Sequence, residues 1–212
     1  ISLKYKESIK MRIGIDLDNT IICYDAAFTT AAKQQGFITN DMVANKQAIR
    51  NHIRTLPDGE IKWQTLQGIV YGKGITAATL FNGVIDFLKA ASSHELFIIS
   101  HKTKVGHHDQ EKVNLRDAAI DFLNHHDVLK YIPRNHIFFT PTRAEKVAKI
   151  TELTLDYFID DLVEVFEEPH FPKNIQQILF QAEGQKTNTN DSWQSCVHWH
   201  NIKKAISFFE KA

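Results

Sequence analysis

The sequence predicts a three-layer α/β fold with a mainly parallel, five-stranded sheet and a small helical insertion after the first strand. Five short, predominantly apolar runs alternate with segments that have helical periodicity. This alternation is typical of a parallel sheet covered by helices on both faces. A long stretch between the first and second runs contains only helical patterns, and it therefore indicates an inserted helical unit.

Each predicted strand is rich in β-branched and aromatic residues and is too short to be a helix. Nearly continuous apolar character of this kind is expected for strands that are buried on both faces. The runs are RIGIDL (12–17), LFIIS (96–100), HIFFT (136–140), YFIDD (157–161) and the weaker QILF (177–180).

Residues 25–74 predict a helical cap. Roughly fifty residues without a strand exceed what a crossover between parallel strands requires. We therefore expect a core formed by 11–24 plus 75–212, with the cap inserted between these two parts. Residues 1–10, ahead of Met11, are expected to be an N-terminal arm or an expression remnant. The helix-like segments of the cap are 25–37, 41–54 and 58–72.

Composition is that of an ordinary globular protein: 212 residues, 43% hydrophobic and 24% charged. Lys+Arg and Asp+Glu balance at 25 each, so no net charge attracts nucleic acid or an anionic membrane. No apolar run approaches the ~18–20 residues of a membrane span. The distant pair Cys23 and Cys196 is typical of a reduced cytoplasmic protein. We expect neither a nucleic-acid partner nor a membrane.

Acidic, hydroxyl and lysine side chains follow the predicted strands. In open parallel sheets the binding site lies at the carboxyl ends of the strands, so these side chains should converge. Clustered carboxylates need a hard cation, and Mg²⁺ binds a few carboxylate oxygens together with a substrate phosphate. One carboxylate can attack phosphorus while a second transfers protons. The residues are Asp16, Asp18, Ser100, Lys146, Asp160 and Asp161.

Four motifs in this order resemble those of the haloacid dehalogenase superfamily of phosphohydrolases. They are DLDNT (16–20), FIISHK with Ser100, RAEKVAKI with Lys146, and FIDDLVEV with Asp160 and Asp161. The family pattern is DxDx[TV] after the first strand, Ser or Thr after the second, Lys before the fourth and an acidic pair at its end. The resemblance covers about residues 12–180 and implies a Rossmann-like core with a cap after the first motif.

The resemblance also implies a chemical role for each acidic residue. Asp16 would be the nucleophile and a Mg²⁺ ligand, and Asp18 would be the general acid/base. Asp18 would also offer its backbone carbonyl to the metal. Asp161 would complete the metal site, with Asp160 beside it.

Substrate-binding roles follow from the same resemblance. Thr20 would steady the first loop, Ser100 would hold a phosphate oxygen, and Lys146 would neutralise the nucleophile and phosphate. Lys102, two residues after Ser100, is a rival for the lysine role, although a helix start beside the third strand favours Lys146. The loop after Ser100 could contact an anionic substrate or be a solvated polar loop. Its basic residues are His101, Lys102, Lys104, His107 and His108.

These residues together predict a Mg²⁺-dependent phosphatase. Its substrate would be a phosphomonoester of a small metabolite, a sugar phosphate or a nucleotide, cleaved through an aspartyl-phosphate. An aspartate at position 18 implies phosphatase or phosphotransferase chemistry rather than carbon–halogen cleavage. Two alternatives stay open: an idle or very slow protein that binds a phosphorylated ligand, and transfer of the phosphoryl group to an acceptor other than water.

Overall fold

The computed structural model describes residues 10–42, 45–107, 111–182 and 192–206. The expectations for an N-terminal arm before Lys10 and for His108 lie outside these ranges. The strands are β1 (Arg12–Ile15), β2 (Ile22–Cys23), β3 (Thr79–Leu80), β4 (Glu95–His101), β5 (Ile137–Thr140), β6 (Tyr157–Asp160), β7 (Gln176–Phe180) and β8 (Gln194–Cys196). The α-helices are α1 (Asp25–Gln34), α2 (Lys46–Arg54), α3 (Gly59–Tyr71), α4 (Val84–Ala90), α5 (Leu115–His125), α6 (Arg143–Glu152), α7 (Val163–Phe166) and α8 (Trp199–Ala205). Short 3₁₀ helices occupy Lys73–Ala77, Val128–Lys130 and Arg134–His136.

A six-stranded sheet forms the centre of the fold, in the order β5-β4-β1-β6-β7-β8. Every neighbouring pair in it is parallel, as the sequence predicts. The five predicted strands correspond to β1, β4, β5, β6 and β7, but the predicted number of strands was wrong. The sixth strand, Gln194–Cys196, has three residues of which two are exposed, so it lacks the apolar run by which the others were found.

Alternating side chains of the sheet enter two separate hydrophobic clusters. Ile13 and Ile15 of β1 belong to the larger one, which continues into α4, α5, α8 and the inserted helices. Phe97 and Phe158 face the opposite side and pack against residues of α6 and α7. Successive residues of a strand point to opposite faces, so both faces are covered and the predicted three-layer arrangement is confirmed.

Helices α1, α2 and α3 lie between β2 and β3, two short strands that pair antiparallel to each other. The chain therefore leaves and re-enters the core through a narrow two-stranded ribbon. Aromatic packing holds the inserted helices together: Phe28 stacks on Trp63 with ring centroids 5.0 Å apart, and Tyr71 meets Phe28 edge-on at 5.8 Å. Within the described ranges, no helix is both long enough and apolar enough to cross a membrane.

Gly14 of the central strand β1 should not tolerate a side chain. A Cβ atom there would lie 2.4 Å from Leu155 Cδ1 and 2.7 Å from Phe158 Cδ2. Because the sheet is packed tightly on this face, we expect Gly14→Ala to lower the free energy of unfolding by about 1–3 kcal/mol. Urea denaturation measures the change, with the exposed Gln34→Ala as a control that should stay within about 0.5 kcal/mol of wild type. Equal stability of wild type and Gly14→Ala would contradict this packing.

Candidate active site

The carboxyl ends of β1, β4 and β6 bring the predicted site residues to one edge of the sheet. Asp16 directly follows β1, and its backbone N–H donates to Ile159 O at 2.8 Å. This bond continues the pairing with β6 by one residue and places Asp16 beside Asp160. A cavity of about 320 Å³ opens at this edge. Its lining includes Asp16, Asp18, Ser100, His101, Lys102, Arg143, Lys146 and Asp161 from the core, and Lys46, Gln67 and Tyr71 from the insertion.

Lys146 joins two of the buried carboxylates. Its Nζ donates to Asp16 Oδ1 and to Asp160 Oδ2, each at 2.6 Å. The exposed fractions are 2% for Lys146, 5% for Asp16 and 0% for Asp160, so all three charges are shielded from water. Buried charges persist only when they are paired, and this contact supplies the pairing.

Asp18 is held by two donors of its own. Tyr24 Oη donates to Asp18 Oδ1 at 2.7 Å, and Lys102 Nζ donates to Asp18 Oδ2 at 2.8 Å. The two lysines considered for the lysine role therefore contact different aspartates: Lys146 contacts Asp16, and Lys102 contacts Asp18. Lys102 Nζ also lies 4.7 Å from the ring centroid of Tyr71, in the insertion.

A tight turn after β1 carries Asp18 and Thr20 past the edge of the sheet. Leu17 O accepts from the backbone N–H groups of Ile21 and Ile22, each at 3.0 Å, and Asn19 has a positive φ of 63°. Asparagine adopts this left-handed conformation more readily than most residues. Thr20 is buried, and its Oγ1 lies 3.5 Å from Asp161 Oδ1, within reach of a long hydrogen bond. The turn therefore brings the first motif against the fourth.

Asp16, Asp160 and Asp161 form the acidic cluster that could hold a metal ion, because one oxygen from each lies within 4.8 Å of the others. Both oxygens of Asp160, however, accept from protein donors, Oδ2 from Lys146 and Oδ1 from the backbone N–H of Leu162 at 2.9 Å. Asp16 and Asp161 are thus the better candidates for metal ligands, and Asp160 fixes Lys146 and the turn after β6.

The electrostatics of this cluster favour a cation. Burial raises the pKa of Asp16 to about 7, and it raises the pKa of Asp161 well above its usual range, with the neighbouring carboxylates adding to both effects. Burial alone would lower the pKa of Lys146, but Asp16 and Asp160 raise it above its ordinary value. The Lys146 ammonium bonds two of the three acids, Asp16 and Asp160, and Asp161 has no ion pair within the part of the chain that the structure describes. Carboxylate oxygens are the ligands Mg²⁺ prefers, so the donor set fits this ion.

Ser100 and His101 occupy different positions at the end of β4. Ser100 is buried at the edge of the cavity, as expected for a group that holds a phosphate oxygen. His101 also lines the cavity, but its side chain is exposed and its Nε2 lies 2.9 Å from Pro141 O. The ring is therefore already engaged with the β5–α6 turn.

The polar residues of the site that sequence reasoning missed include Tyr24, Lys46, Gln67 and Arg143. Arg143 begins the RAEKVAKI motif but was assigned no role there, and the other three residues lie outside the four motifs. Tyr24 had one signal, a phenol immediately after an apolar pair and only six residues from Asp18. Of two aromatic residues in the insertion, Trp63 is buried in packing, whereas Tyr71 also lines the cavity.

No protein-family model and no curated protein matches the sequence. Solved structures do resemble it. A haloacid dehalogenase-like family hydrolase from Streptococcus pneumoniae aligns with a TM-score of 0.53 and 18% identity over 81% of this chain and 85% of its own. A predicted phosphatase from Clostridium acetobutylicum aligns with a TM-score of 0.60 and 13% identity, over 94% of this chain and 99% of its own. The magnesium-bound HAD-hydrolase YfnB of Bacillus subtilis aligns with a TM-score of 0.56 and 11% identity, over 93% of this chain and 98% of its own.

The chain has a haloacid dehalogenase-like fold. The three matches cover between 81% and 94% of this chain and between 85% and 99% of each neighbour. The fold predicted from the four motifs is therefore confirmed.

Removing the Lys146 ammonium should destabilise this haloacid dehalogenase-like core. Lys146→Met leaves Asp16 and Asp160 buried without a cation, and breaking a buried ion pair in this way costs about 3–5 kcal/mol. Urea unfolding at neutral pH measures the loss. Lys149→Met, in the same helix, removes a pair with the exposed Glu152 and a cation–π contact with Phe138, whose ring centroid lies 5.0 Å from Lys149 Nζ, and should cost about 1 kcal/mol or less. Similar losses in the two variants would contradict a special role for Lys146.

Proposed function

We propose that this protein is a Mg²⁺-dependent phosphatase that hydrolyses phosphomonoesters of small metabolites through an aspartyl-phosphate. The observation that carries the proposal is the placement of Asp16. Its carboxylate lies at the edge of an open cavity, contacts the Lys146 ammonium at 2.6 Å, and has Asp161 in the same acidic cluster. Solved hydrolases and phosphatases of the same fold support this reaction class.

In the proposed first step, an Asp16 carboxylate oxygen attacks phosphorus and the bond from phosphorus to the ester oxygen breaks. Lys146 holds the other Asp16 oxygen, so the attacking oxygen is oriented before the substrate arrives. Ser100, buried at the cavity edge, can donate a hydrogen bond to a phosphoryl oxygen. In the second step water attacks the phosphoryl group, and release of inorganic phosphate restores the Asp16 carboxylate.

We assign the proton transfers of both steps to Asp18. It would protonate the departing ester oxygen, and then take a proton from the attacking water. Tyr24 and Lys102 hold its two oxygens at 2.7 and 2.8 Å, which fixes its orientation two residues from the nucleophile. Lys102 must release one oxygen for Asp18 to face the substrate.

Asp16, Asp161 and the backbone carbonyl of Asp18 would hold the Mg²⁺ ion. When bound, the ion would neutralise negative charge on the phosphoryl oxygens. It would also lift the mutual repulsion of the buried carboxylates, whose pKa values burial raises. Asp160 would act by holding Lys146.

The size of the cavity supports a small substrate. About 320 Å³ lies at the lower end of the range for small-molecule sites, roughly 300–1,000 Å³. The inserted helices contribute part of its wall, so a bulky macromolecular end would meet Lys46, Gln67 and Tyr71. A sugar phosphate or a nucleotide suits these dimensions. Cys23 and Cys196 are both free thiols, in keeping with the cytoplasmic location that we propose.

The nucleophile is tested by Asp16→Asn. We expect Mg²⁺-dependent phosphate release from 4-nitrophenyl phosphate and a panel of metabolite phosphates. Asp16→Asn should lower kcat at least about 10⁴-fold, because the amide cannot attack phosphorus. EDTA should abolish turnover by wild type, whereas the exposed Asp121→Asn should match wild type. A folded wild-type protein that binds phosphate but turns nothing over would favour the idle ligand-binding alternative. Products esterified to an added alcohol would favour the phosphotransferase.

The role of Asp18 predicts a dependence on the leaving group. Nitrophenolate can leave without a proton, whereas an alkoxide needs one. Asp18→Asn should therefore lower the rate of hydrolysis of alkyl phosphates about 10²-fold or more relative to that of 4-nitrophenyl phosphate. The second step still needs a base, so the variant should release one rapid equivalent of nitrophenolate and then slow. Stopped-flow absorbance measures this burst. Equal losses on both ester types would argue against Asp18 as the acid.

A further inference from the structure

Lys46 reaches the cavity from the insertion, on a different part of the fold from Lys102 and Lys146. It is the first residue of α2, and its backbone is fixed on both sides. Its N–H donates to Asp25 Oδ1 at 2.8 Å, and the preceding Asn45 caps the helix by accepting from the N–H of Ala48 at 2.9 Å. The side chain therefore starts from a rigid position on the cavity wall.

Two aromatic rings hold the Lys46 ammonium in place. Its Nζ lies 5.5 Å from the ring centroid of Phe28 and 5.6 Å from that of Tyr71. Phe28 is itself fixed by stacking on Trp63 at 5.0 Å. Cations at such distances are attracted by the faces of aromatic rings, and the rings limit the paths that the side chain can take. Lys46 is thus preorganised to present a charge to the cavity.

Lys46 differs from the other cations of the cavity in its partners. Lys146 bonds the Asp16 carboxylate and Lys102 bonds that of Asp18. The Nη1 atom of Arg143 lies 3.5 Å from Glu168 Oε1. Among the residues that the structure describes, no carboxylate lies within ion-pair distance of Lys46. Burial would lower the pKa of its ammonium, but Tyr71 and the more distant Asp161 and Asp18 raise it, so the charge persists. A positive charge without a carboxylate partner faces the space beside the nucleophile.

We propose that Lys46 is a further catalytic residue, which contacts the transferring phosphoryl group from the insertion side of the cavity. This inference rests on the proposed phosphatase function. A phosphoryl group brings negative charge to a site where Lys146 and Lys102 are already bonded to aspartates. Lys46 need not break a bond to a carboxylate before it contacts the phosphoryl group. Preorganised charges of this kind stabilise a phosphoryl-transfer transition state. The site is then complete only with the insertion in place.

The test compares Lys46→Met with wild type for binding of orthovanadate, which adopts the geometry of the transferring phosphoryl group. With Mg²⁺ present, we expect calorimetry to show vanadate and inorganic phosphate binding weakened at least about tenfold. The losses in kcat/KM should be equal for phenyl phosphate and 4-carboxyphenyl phosphate, because Lys46 contacts the group that both esters share. Lys46→Arg should recover part of each loss, since it keeps the charge.

Two controls separate this contact from a loss of structure. Methionine is unbranched like lysine, is one atom shorter and packs well on aromatic rings, so Lys46→Met should retain wild-type stability in urea. Lys62→Met removes another lysine of the insertion, one that bonds Pro57 O and does not line the cavity, and should bind vanadate as wild type does. If Lys46→Met nevertheless unfolds, Lys46→Gln provides the same comparison.

Three results distinguish the inference from the proposed function. Wild-type vanadate affinity in Lys46→Met would overturn the inference even if the phosphatase is active. A loss confined to 4-carboxyphenyl phosphate would also overturn it, because Lys46 would then contact the leaving group. If wild type binds vanadate but hydrolyses no ester, phosphatase activity is refuted. Weaker vanadate binding by Lys46→Met would in that case still support the phosphoryl contact.

Discussion

The Lys146 ammonium, bonded at 2.6 Å to both Asp16 and Asp160, is the contact on which the site depends. It connects the end of β1 to α6, 130 residues further along the chain, and to β6, which directly follows α6. Without it, two neighbouring carboxylates would be buried with nothing to offset their repulsion. With it, one oxygen of Asp16 is held and the other is left to face the cavity. The same ion pair therefore stabilises the core and orients the proposed nucleophile.

The resulting arrangement gives different roles to the two adjacent aspartates of the fourth motif. Successive residues at the end of a strand point in opposite directions. Asp160 points into the interior, where it meets Lys146 and the Leu162 N–H, whereas Asp161 lines the cavity with Asp16. The predicted metal set contained both residues. Side-chain direction, which a motif does not encode, makes Asp161 the better candidate for metal binding and Asp160 the anchor of the lysine.

The sequence predicted the features that follow from local patterns and strand topology, and it missed those that depend on the path of the chain between elements. Continuous apolar runs predicted the strands, and parallel strands place their carboxyl ends at one edge, so the convergence of Asp16, Lys146 and Asp161 followed from topology. Strand β8 was missed because a three-residue, mostly exposed segment carries no periodic signal. The Tyr24 contact to Asp18 was missed for another reason. It depends on how the chain turns into the insertion, and the short sequence separation of Tyr24 from Asp18 does not specify that turn.

The ring of Tyr71 shows why the insertion and the core act as one site. Lys102 lies 4.7 Å from its centroid and Lys46 lies 5.6 Å away, so one aromatic ring of the insertion contacts a cation from each part of the fold. Lys102 in turn holds Asp18. A shift of the insertion would therefore alter the surroundings of the proposed acid/base and of the unpaired cation together. For the proposed phosphatase, the insertion thereby contributes both to the surroundings of the acid/base and to the charge that would contact the phosphoryl group.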